Sequence, residues 1–96
     1  KKIYTTNLII QKFESYENDN IPHFGFTITK KIGSAVVRNK VKRRLKSIIK
    51  KLLKCKDKYF DLSFNYILIC KKEIVKVSYN DLENELMDKF KSNRAS

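Results

Sequence analysis

The chain has 96 residues, 42% of them hydrophobic and 33% charged, which suits one globular domain with a modest core. It carries 22 Lys or Arg against 10 Asp or Glu, so its formal net charge is +12. No apolar run approaches the roughly 20 residues that a membrane span needs, and no secretory signal, repeat or low-complexity tract is visible.

The first part of the chain predicts two strands. Leu8 to Phe13 has the composition of one strand, and Glu14 to Asn20 that of a polar turn region. His23 to Thr29 alternates, with Phe24 and Phe26 on one face and small or polar residues on the other. This second strand is therefore predicted to be half-buried, with a small polar second face.

A long helix is predicted next, from about Ala35 to Lys54. Gly33 and Ser34 break the chain, and a serine hydroxyl can cap the first free amides of a helix. At about 100° per residue, the helix separates into an apolar sector, an opposite polar sector and two flanks. The apolar sector contains Val37, Val41, Leu45, Ile48 and Leu52, and the opposite polar sector contains Asn39, Arg43, Lys46, Lys50 and Lys54. Lys40 and Lys51 lie on one flank, whereas Arg38 and Lys42 lie nearer the other.

A connector, a strand and a second helix follow. Cys55 to Ser63 is the predicted connector, and Tyr66 to Cys70 is so apolar that it predicts a central buried strand. Ser78 can cap a last helix, and Val77 can pack against Leu82. The apolar stripe of that helix is Tyr79, Leu82, Leu86 and Phe90. Two such helices on one face of a sheet leave its other face partly open, and an open face beside a basic helix suits a flexible single strand.

The sequence gives no positive evidence for a protein active site. Cys55 and Cys70, with His23 elsewhere, match no zinc spacing and are typical of two reduced cytosolic thiols. No motif frames a nucleophile, and glycine is too scarce for a phosphate loop. We therefore expect no catalytic residue, no metal ligand, no cofactor bound by the protein alone and no small-molecule substrate.

The positive charge is concentrated in one interval. The interval from Asn20 to Lys56, both included, contains twelve Lys or Arg and no Asp or Glu, whereas the rest of the chain carries ten of each. Concentrated charge of one sign costs self-repulsion, which a polyanion that releases counterions on binding would offset. A nucleic acid is therefore the favoured partner. A basic amphipathic helix on an anionic membrane is the weaker alternative, because the apolar face has no Trp or Phe to anchor it.

Asn39 is the one amide among these cations. It could read a base edge or a sugar hydroxyl, or it could make a local hydrogen bond near the start of the helix. The sequence leaves both roles open.

Phe24 to Lys46, FGFTITKKIGSAVVRNKVKRRLK, resembles the signature of the bacterial ribonuclease P protein subunit family. The family pattern is a Gly-initiated strand, a Ser/Thr-x-Ser/Thr-Lys-Lys run and then Arg-Asn-Arg-x-Lys-Arg-x-x-Arg. Lys40 and Lys46 stand for two of these arginines, which keeps the charge but not the bidentate geometry. The later NYILICKKE and SYNDLENELMDKF also resemble the final strand and helix of the family, so the resemblance covers roughly residues 8 to 91.

The resemblance implies an α+β fold: a two-layer α/β sandwich with a mixed sheet, helices on one face and a left-handed β-α-β crossover that contains the basic helix. Such a crossover is an exception to the right-handed rule. We expect one RNA-binding domain over residues 1–96, with a core at about 8–91 and a flexible tail at 92–96. The family begins with a helix that carries aromatic cleft residues, and none precedes Lys1. We therefore expect an upstream segment to be missing, which would weaken a leader site more than an RNA-docking site.

The resemblance also implies a function. The family's protein is not itself the catalyst: it is the subunit of an RNA-catalysed endoribonuclease in the cytoplasm. It binds a catalytic RNA that, with Mg²⁺, removes the 5′ leader of precursor tRNA. The alternative is a generic ribosomal or nucleoid nucleic-acid-binding protein without a processing role, and a membrane partner is not expected. The expected RNA-binding residues are Lys30, Lys31, Arg38, Asn39, Lys40, Lys42, Arg43, Arg44, Lys46 and Lys50.

A leader cleft is expected on the open face of the sheet. By alternation along the two predicted strands, the residues that face it are Ile9, Gln11, Thr27 and Thr29. Gln11 stands where the family has an aromatic residue, so base stacking is not expected at that position.

Overall fold

Four strands form one mixed sheet in the computed structural model, which describes residues 2–16 and 20–94. The strands are β1 (Lys2–Tyr4), β2 (Leu8–Glu14), β3 (Phe24–Thr27) and β4 (Phe64–Cys70), and their order in the sheet is β1-β2-β4-β3. β1 and β4 pair antiparallel with β2, whereas β3 pairs parallel with β4. The predicted mixed sheet is confirmed.

Three helices cover this sheet: α1 (Ala35–Leu53), α2 (Lys56–Tyr59) and α3 (Tyr79–Ser92). Short 3-10 turns precede α1 and α3, at Lys30–Ile32 and Lys72–Val75. The Ser34 hydroxyl accepts a hydrogen bond from the Val37 amide, and the Ser78 hydroxyl accepts one from the Asp81 amide. Both predicted helix caps are therefore confirmed.

Several predicted boundaries differ from the structure. β3 covers only residues 24–27, β4 begins two residues early at Phe64, and α1 ends at Leu53. The predicted turn region at 14–20 begins inside β2, and its residues 17–19 lie outside the described residues. β1 and α2 were not predicted, because elements of three and four residues are too short to show a periodic pattern.

One face of the sheet forms the core with α1 and α3. Leu8 and Ile10 from β2, Leu68 from β4, Leu45 from α1 and Leu86 from α3 have no exposed surface. The same cluster includes Ile3 of β1, which precedes the predicted start of the core at residue 8. The extent of the domain and the flexible tail at 92–96 stay predictions: α3 includes Ser92, and residues 95–96 lie outside the described residues.

The other face of the sheet is only partly covered. Ile67 and Ile69 of β4 are half-buried, although β4 lies between β2 and β3 in the sheet. β4 was predicted as a central buried strand from its apolar sequence. The central position is confirmed, but the burial holds for one face only, because both long helices pack on the opposite side.

The connection between β3 and β4 contains α1. The two strands are parallel neighbours, so the chain leaves the sheet after Thr27, passes through α1 and α2, and returns at Phe64. This places the basic helix in a β-α-β crossover, as the resemblance implies. The left-handed sense of the crossover stays a prediction.

Lys12 is a charged side chain on the core face, with only 5% of its surface exposed. Its Nζ lies 3.4 Å from Asp61 Oδ2 and 4.5 Å from the centre of the Phe64 ring. It also donates a hydrogen bond of 3.3 Å to the Asn93 carbonyl, just after α3. A buried ammonium is tolerated here because a carboxylate, an aromatic face and a carbonyl surround it.

Candidate nucleic-acid interface

α1 turns one apolar stripe to the core and an opposite polar arc to solvent. Val41, Leu45, Ile48 and Leu52 are buried as predicted, and Ile49 joins them. Val37, in the first turn of α1, is only half-buried. The predicted polar sector, Asn39, Arg43, Lys46, Lys50 and Lys54, is exposed throughout. The predicted orientation of α1 is therefore confirmed.

One flank of α1 forms hydrogen bonds with the start of α3. Arg44 Nη1 donates a hydrogen bond of 3.0 Å to the carbonyl of Val77. One turn later on the same flank, Ser47 Oγ lies 2.8 Å from Tyr79 Oη, and the two hydroxyls share a hydrogen bond. Arg44, which is expected to bind RNA, thus lies half-buried at a helix–helix contact rather than at the centre of the exposed arc.

Lys51 continues this α1–α3 seam, which consists of Arg44, Ser47, Lys51 and their partners on α3. Its Nζ lies 3.1 Å from Glu83 Oε2 and 5.1 Å from the centre of the Tyr79 ring. The hydrogen bond to the Glu83 carboxylate, and then its charge, raise the pKa of Lys51 above the usual value. An exposed pair of this kind adds little stability, but it neutralises one cation of α1.

The other flank of α1 faces the edge strand β3 and leaves a cavity of about 190 Å³. Phe26 and Ile28 line this α1–β3 pocket from the side of the sheet, and Arg38, Asn39 and Lys42 line it from α1. The pocket lies beside the last strand of the sheet: among residues 2–16 and 20–94, no further strand lies beyond β3 next to the first turns of α1.

Gly33 fixes the direction in which α1 begins. Its φ is +153°, and a Cβ placed there would lie 3.0 Å from Val37 Cγ1. Arg38 Nε donates a hydrogen bond of 3.2 Å to the Gly33 carbonyl, which holds the first arginine of the motif at the rim of the pocket. A side chain at position 33 would therefore strain the turn and press on the first turn of α1.

Eight of the ten expected RNA-binding residues are exposed, and the other two, Arg38 and Arg44, are half-buried. Lys30 and Lys31 lie in the 3-10 turn that leads into α1, so they extend the same basic surface beyond the helix. We call the exposed part of this surface the basic arc; it contains Lys30, Lys31, Asn39, Lys40, Lys42, Arg43, Lys46 and Lys50.

The strand register brings three of the four expected cleft residues onto the open sheet face. Ile9 pairs with Ile69, and Thr27 pairs with the same Ile69 from the other side. Gln11 lies two residues along β2 from Ile9 and therefore on the same face. Thr29 does not join this ladder, because β3 ends at Thr27 and Thr29 is the residue before the 3-10 turn.

The same face carries residues that were not predicted. Tyr4 of β1 pairs with Ile9 and is 63% exposed, and Phe13 of β2 is 42% exposed. Ile67 pairs with Gln11 at the centre of the sheet. Alternation from Ile9 would have reached Phe13, but Tyr4 lies in a strand too short to predict. Two exposed aromatic rings on this face, Tyr4 and Phe13, therefore provide stacking surfaces that were not predicted.

No group of three or more His, Cys, Asp or Glu comes together in residues 2–16 and 20–94. Burial raises the pKa of the Cys70 thiol to about 11, so it stays protonated near neutral pH and is a poor nucleophile. Within the same residues, no helix is long and apolar enough to cross a membrane.

Comparison with known proteins gives one family. The family model described as Ribonuclease P matches residues 1–93. The ribonuclease P protein component of Bacillus mycoides is 34% identical over 77 residues, which are 78% of this chain and 64% of that protein. That of Finegoldia magna is 33% identical over 87 residues, which are 91% of this chain and 71% of that protein. The chain therefore spans somewhat less than two thirds of the Bacillus protein.

Solved structures share the fold. The RNase P protein from Thermotoga maritima, in complex with 1-(4-fluorophenyl)-2-thiourea, superposes with a TM-score of 0.80 at 18% identity, covering 95% of this chain and 83% of that one. The RNase P protein of Staphylococcus aureus superposes with a TM-score of 0.71 at 23% identity, covering 96% and 79%. The α+β architecture, with a four-stranded mixed sheet and helices, is common to them.

Proposed function

Because the chain belongs to the ribonuclease P protein component family, we propose that it is the protein subunit of a ribonuclease P and docks on the catalytic RNA through the basic arc, which is formed by α1 and the turn before it. The observation that carries the proposal is the separation of the two sides of α1. Its apolar stripe is buried in the core, while the arc holds seven exposed Lys or Arg without an acidic residue between Asn20 and Lys56. Such an arc suits a phosphate backbone, which releases counterions as it binds.

The open sheet face is proposed to hold the 5′ leader of precursor tRNA. A single strand binds to aromatic rings, on which bases stack, and to polar groups beside them. Tyr4 and Phe13 provide exposed rings, and Gln11 and Thr27 provide polar groups on the same face. The leader would thus meet a surface separate from the basic arc, which is left to the catalytic RNA.

In this function the protein positions RNA and leaves the bond cleavage to its partner. The Mg²⁺ that the reaction uses would be held by the RNA and the scissile phosphate. The cations of the arc would lower the repulsion between the catalytic RNA and its substrate. Cys55 and Cys70 are both free thiols, which supports work in the reducing cytoplasm.

The direct test is reconstitution with the catalytic RNA of the source organism. We expect the full-length protein to restore leader cleavage at an Mg²⁺ concentration at which the RNA alone is nearly inactive. The protein without RNA should show no cleavage. If the protein binds structured RNA, mixed RNA and DNA equally and does not stimulate cleavage, it is a generic nucleic-acid-binding protein and the proposal is wrong.

Thr27→Glu tests the leader site separately. Thr27 is exposed on the open sheet face, so a carboxylate there would repel a phosphate chain without opening a cavity. We expect the assembled enzyme to bind precursor tRNA about tenfold more weakly, the scale of one unfavourable charge contact near a protein surface. Affinity for mature tRNA, which has no leader, should stay almost unchanged.

Asn84→Glu is the matched control, because Asn84 is exposed on α3 and the substitution adds the same charge away from the sheet face. It should leave both tRNA affinities unchanged. If Thr27→Glu weakens precursor and mature tRNA equally, or prevents assembly with the catalytic RNA, then the open sheet face does not hold the leader.

A further inference from the structure

We propose that the α1–β3 pocket accepts a single unpaired nucleobase of the RNA that docks on α1. The pocket is the cavity lined by Phe26, Ile28, Arg38, Asn39 and Lys42. The inference rests on the proposed function, because it takes the contact between α1 and RNA as given. Besides contacts to phosphates, α1 would then bind one base, through apolar contact with the base ring and hydrogen bonds to the base edge.

The shape of the pocket limits the ligand. Its volume of about 190 Å³ suits one base and is too small for a stacked pair. A base in a continuous RNA helix is stacked and paired, and the deep groove of that helix does not admit side chains. The base that enters must therefore come from a loop, a bulge or a strand end, where it can turn away from its neighbours.

The floor of the pocket is apolar. Phe26 of the edge strand β3, and Ile28 just after it, pack against the core cluster but stay half-exposed. A base ring placed on these side chains would cover apolar surface that is otherwise in water, and contact with an aromatic ring adds to that gain. Arg43, Lys46 and Lys50 are exposed on the side of α1 opposite its buried stripe, and they do not line this pocket.

Asn39 supplies the group that can recognise a base edge. Its side chain is exposed and makes no hydrogen bond within residues 2–16 and 20–94. The local alternative, a bond near the helix start, is not present: Ser34 caps the helix by accepting from the Val37 amide. The amide of Asn39 thus keeps one acceptor and two donors free, which match a base edge with a donor beside an acceptor.

Arg38 and Lys42 supply the charge at the rim. The bond from Arg38 Nε to the Gly33 carbonyl fixes the guanidinium beside the pocket, and its other nitrogens make no hydrogen bond to a described residue. Lys42 is exposed one turn further along α1. These cations can bind the phosphates on either side of the inserted nucleotide, so the pocket as a whole fits one nucleotide with its base inward.

The first experiment uses the isolated protein and small probes. Nuclear magnetic resonance spectra are recorded as the protein is titrated with the four nucleoside 5′-monophosphates and with ribose 5-phosphate, which has the same phosphate but no base. We expect the nucleotides to shift the Asn39 side-chain amide and Phe26 ring signals, and ribose 5-phosphate to leave both in place. Equal shifts with ribose 5-phosphate would show a phosphate site only and would overturn the proposal.

The second experiment uses the catalytic RNA and separates the pocket from the docking function. Asn39→Ala should weaken RNA binding about tenfold, within the range for one base contact. It should leave unchanged the slope of log K against log salt, because no charge is lost. Asn80→Ala, an exposed amide on α3, is the matched control and should bind as the unaltered protein does.

The outcomes are distinguishable. If the unaltered protein fails to bind the catalytic RNA, the proposed function is wrong. If it binds and Asn39→Ala binds equally well, the docking function stands and the base pocket is wrong.

Discussion

Leu45→Ala is expected to lower the free energy of unfolding by about 2–5 kcal/mol, the range for a buried leucine that leaves a cavity. Leu45 has no exposed surface and lies in the middle of the apolar stripe of α1. Leu8 and Leu68 of the sheet and Leu86 of α3 belong to the same cluster, so a space left there cannot be filled by one flexible side chain. Urea unfolding followed by circular dichroism measures the difference.

Two variants serve as controls for this loss. Leu45→Met keeps the side-chain volume and should cost less than about 1.5 kcal/mol. Arg43→Ala removes an exposed side chain from the opposite side of α1 and should change stability by no more than about 0.5 kcal/mol, while it weakens RNA binding. If Arg43→Ala unfolds the protein as readily as Leu45→Ala, then α1 does not turn its apolar stripe to the core and its Arg43 side to solvent.

Raising the salt concentration from 50 mM to 200 mM is expected to weaken binding to the catalytic RNA by about 1000-fold or more. That is the range for a protein that makes six to ten phosphate contacts, and the basic arc has seven exposed Lys or Arg. Binding constants measured at several salt concentrations give the slope. A slope near zero would contradict the electrostatic docking of α1.

Arg43 and Arg44 form a matched pair for the same measurement. They are neighbours in sequence, but Arg43 is exposed on the basic arc and Arg44 donates to the Val77 carbonyl in the α1–α3 seam. Arg43→Gln should reduce the salt slope by about 1. Arg44→Gln should leave the slope nearly unchanged, because its partner is the protein. Equal reductions in both variants would show that Arg44 also contacts phosphate.

The orientation of α1 could be predicted from sequence because nineteen consecutive residues repeat one periodic pattern and Ser34 marks its start. The α1–α3 seam could not be predicted. Whether Arg44 and Lys51 contact RNA or protein depends on where α3 lies. Their partners in the protein, Val77 for Arg44 and Glu83 for Lys51, are more than thirty residues away in sequence. Charge patterning shows which side of a helix is polar, but it does not show which of those polar side chains will form contacts with a second helix.

The open sheet face was predictable in part for a related reason. Alternation correctly grouped Ile9, Gln11 and Thr27, since a strand turns successive side chains to opposite faces. It could not place Tyr4, because β1 is recognisable only through its pairing with β2. It also could not show that Ile67 and Ile69 stay half-exposed, since an apolar strand has the same sequence whether one or two layers cover it.

The pairing of β2 with β4 determines when the sheet can close during synthesis. Leu8 pairs with Cys70 and Glu14 with Phe64. β2 therefore cannot form its hydrogen bonds to β4 until most of the chain has been synthesised. Closing so long a loop is slow compared with local folding. α1 lies inside that loop, and its cations therefore leave the ribosome before the strands that bury its apolar stripe are joined. An RNA that binds α1 at this stage binds the unfolded chain as well as the folded protein. Because binding then stabilises both states, RNA adds less to the free energy of unfolding than a ligand that binds only the folded state.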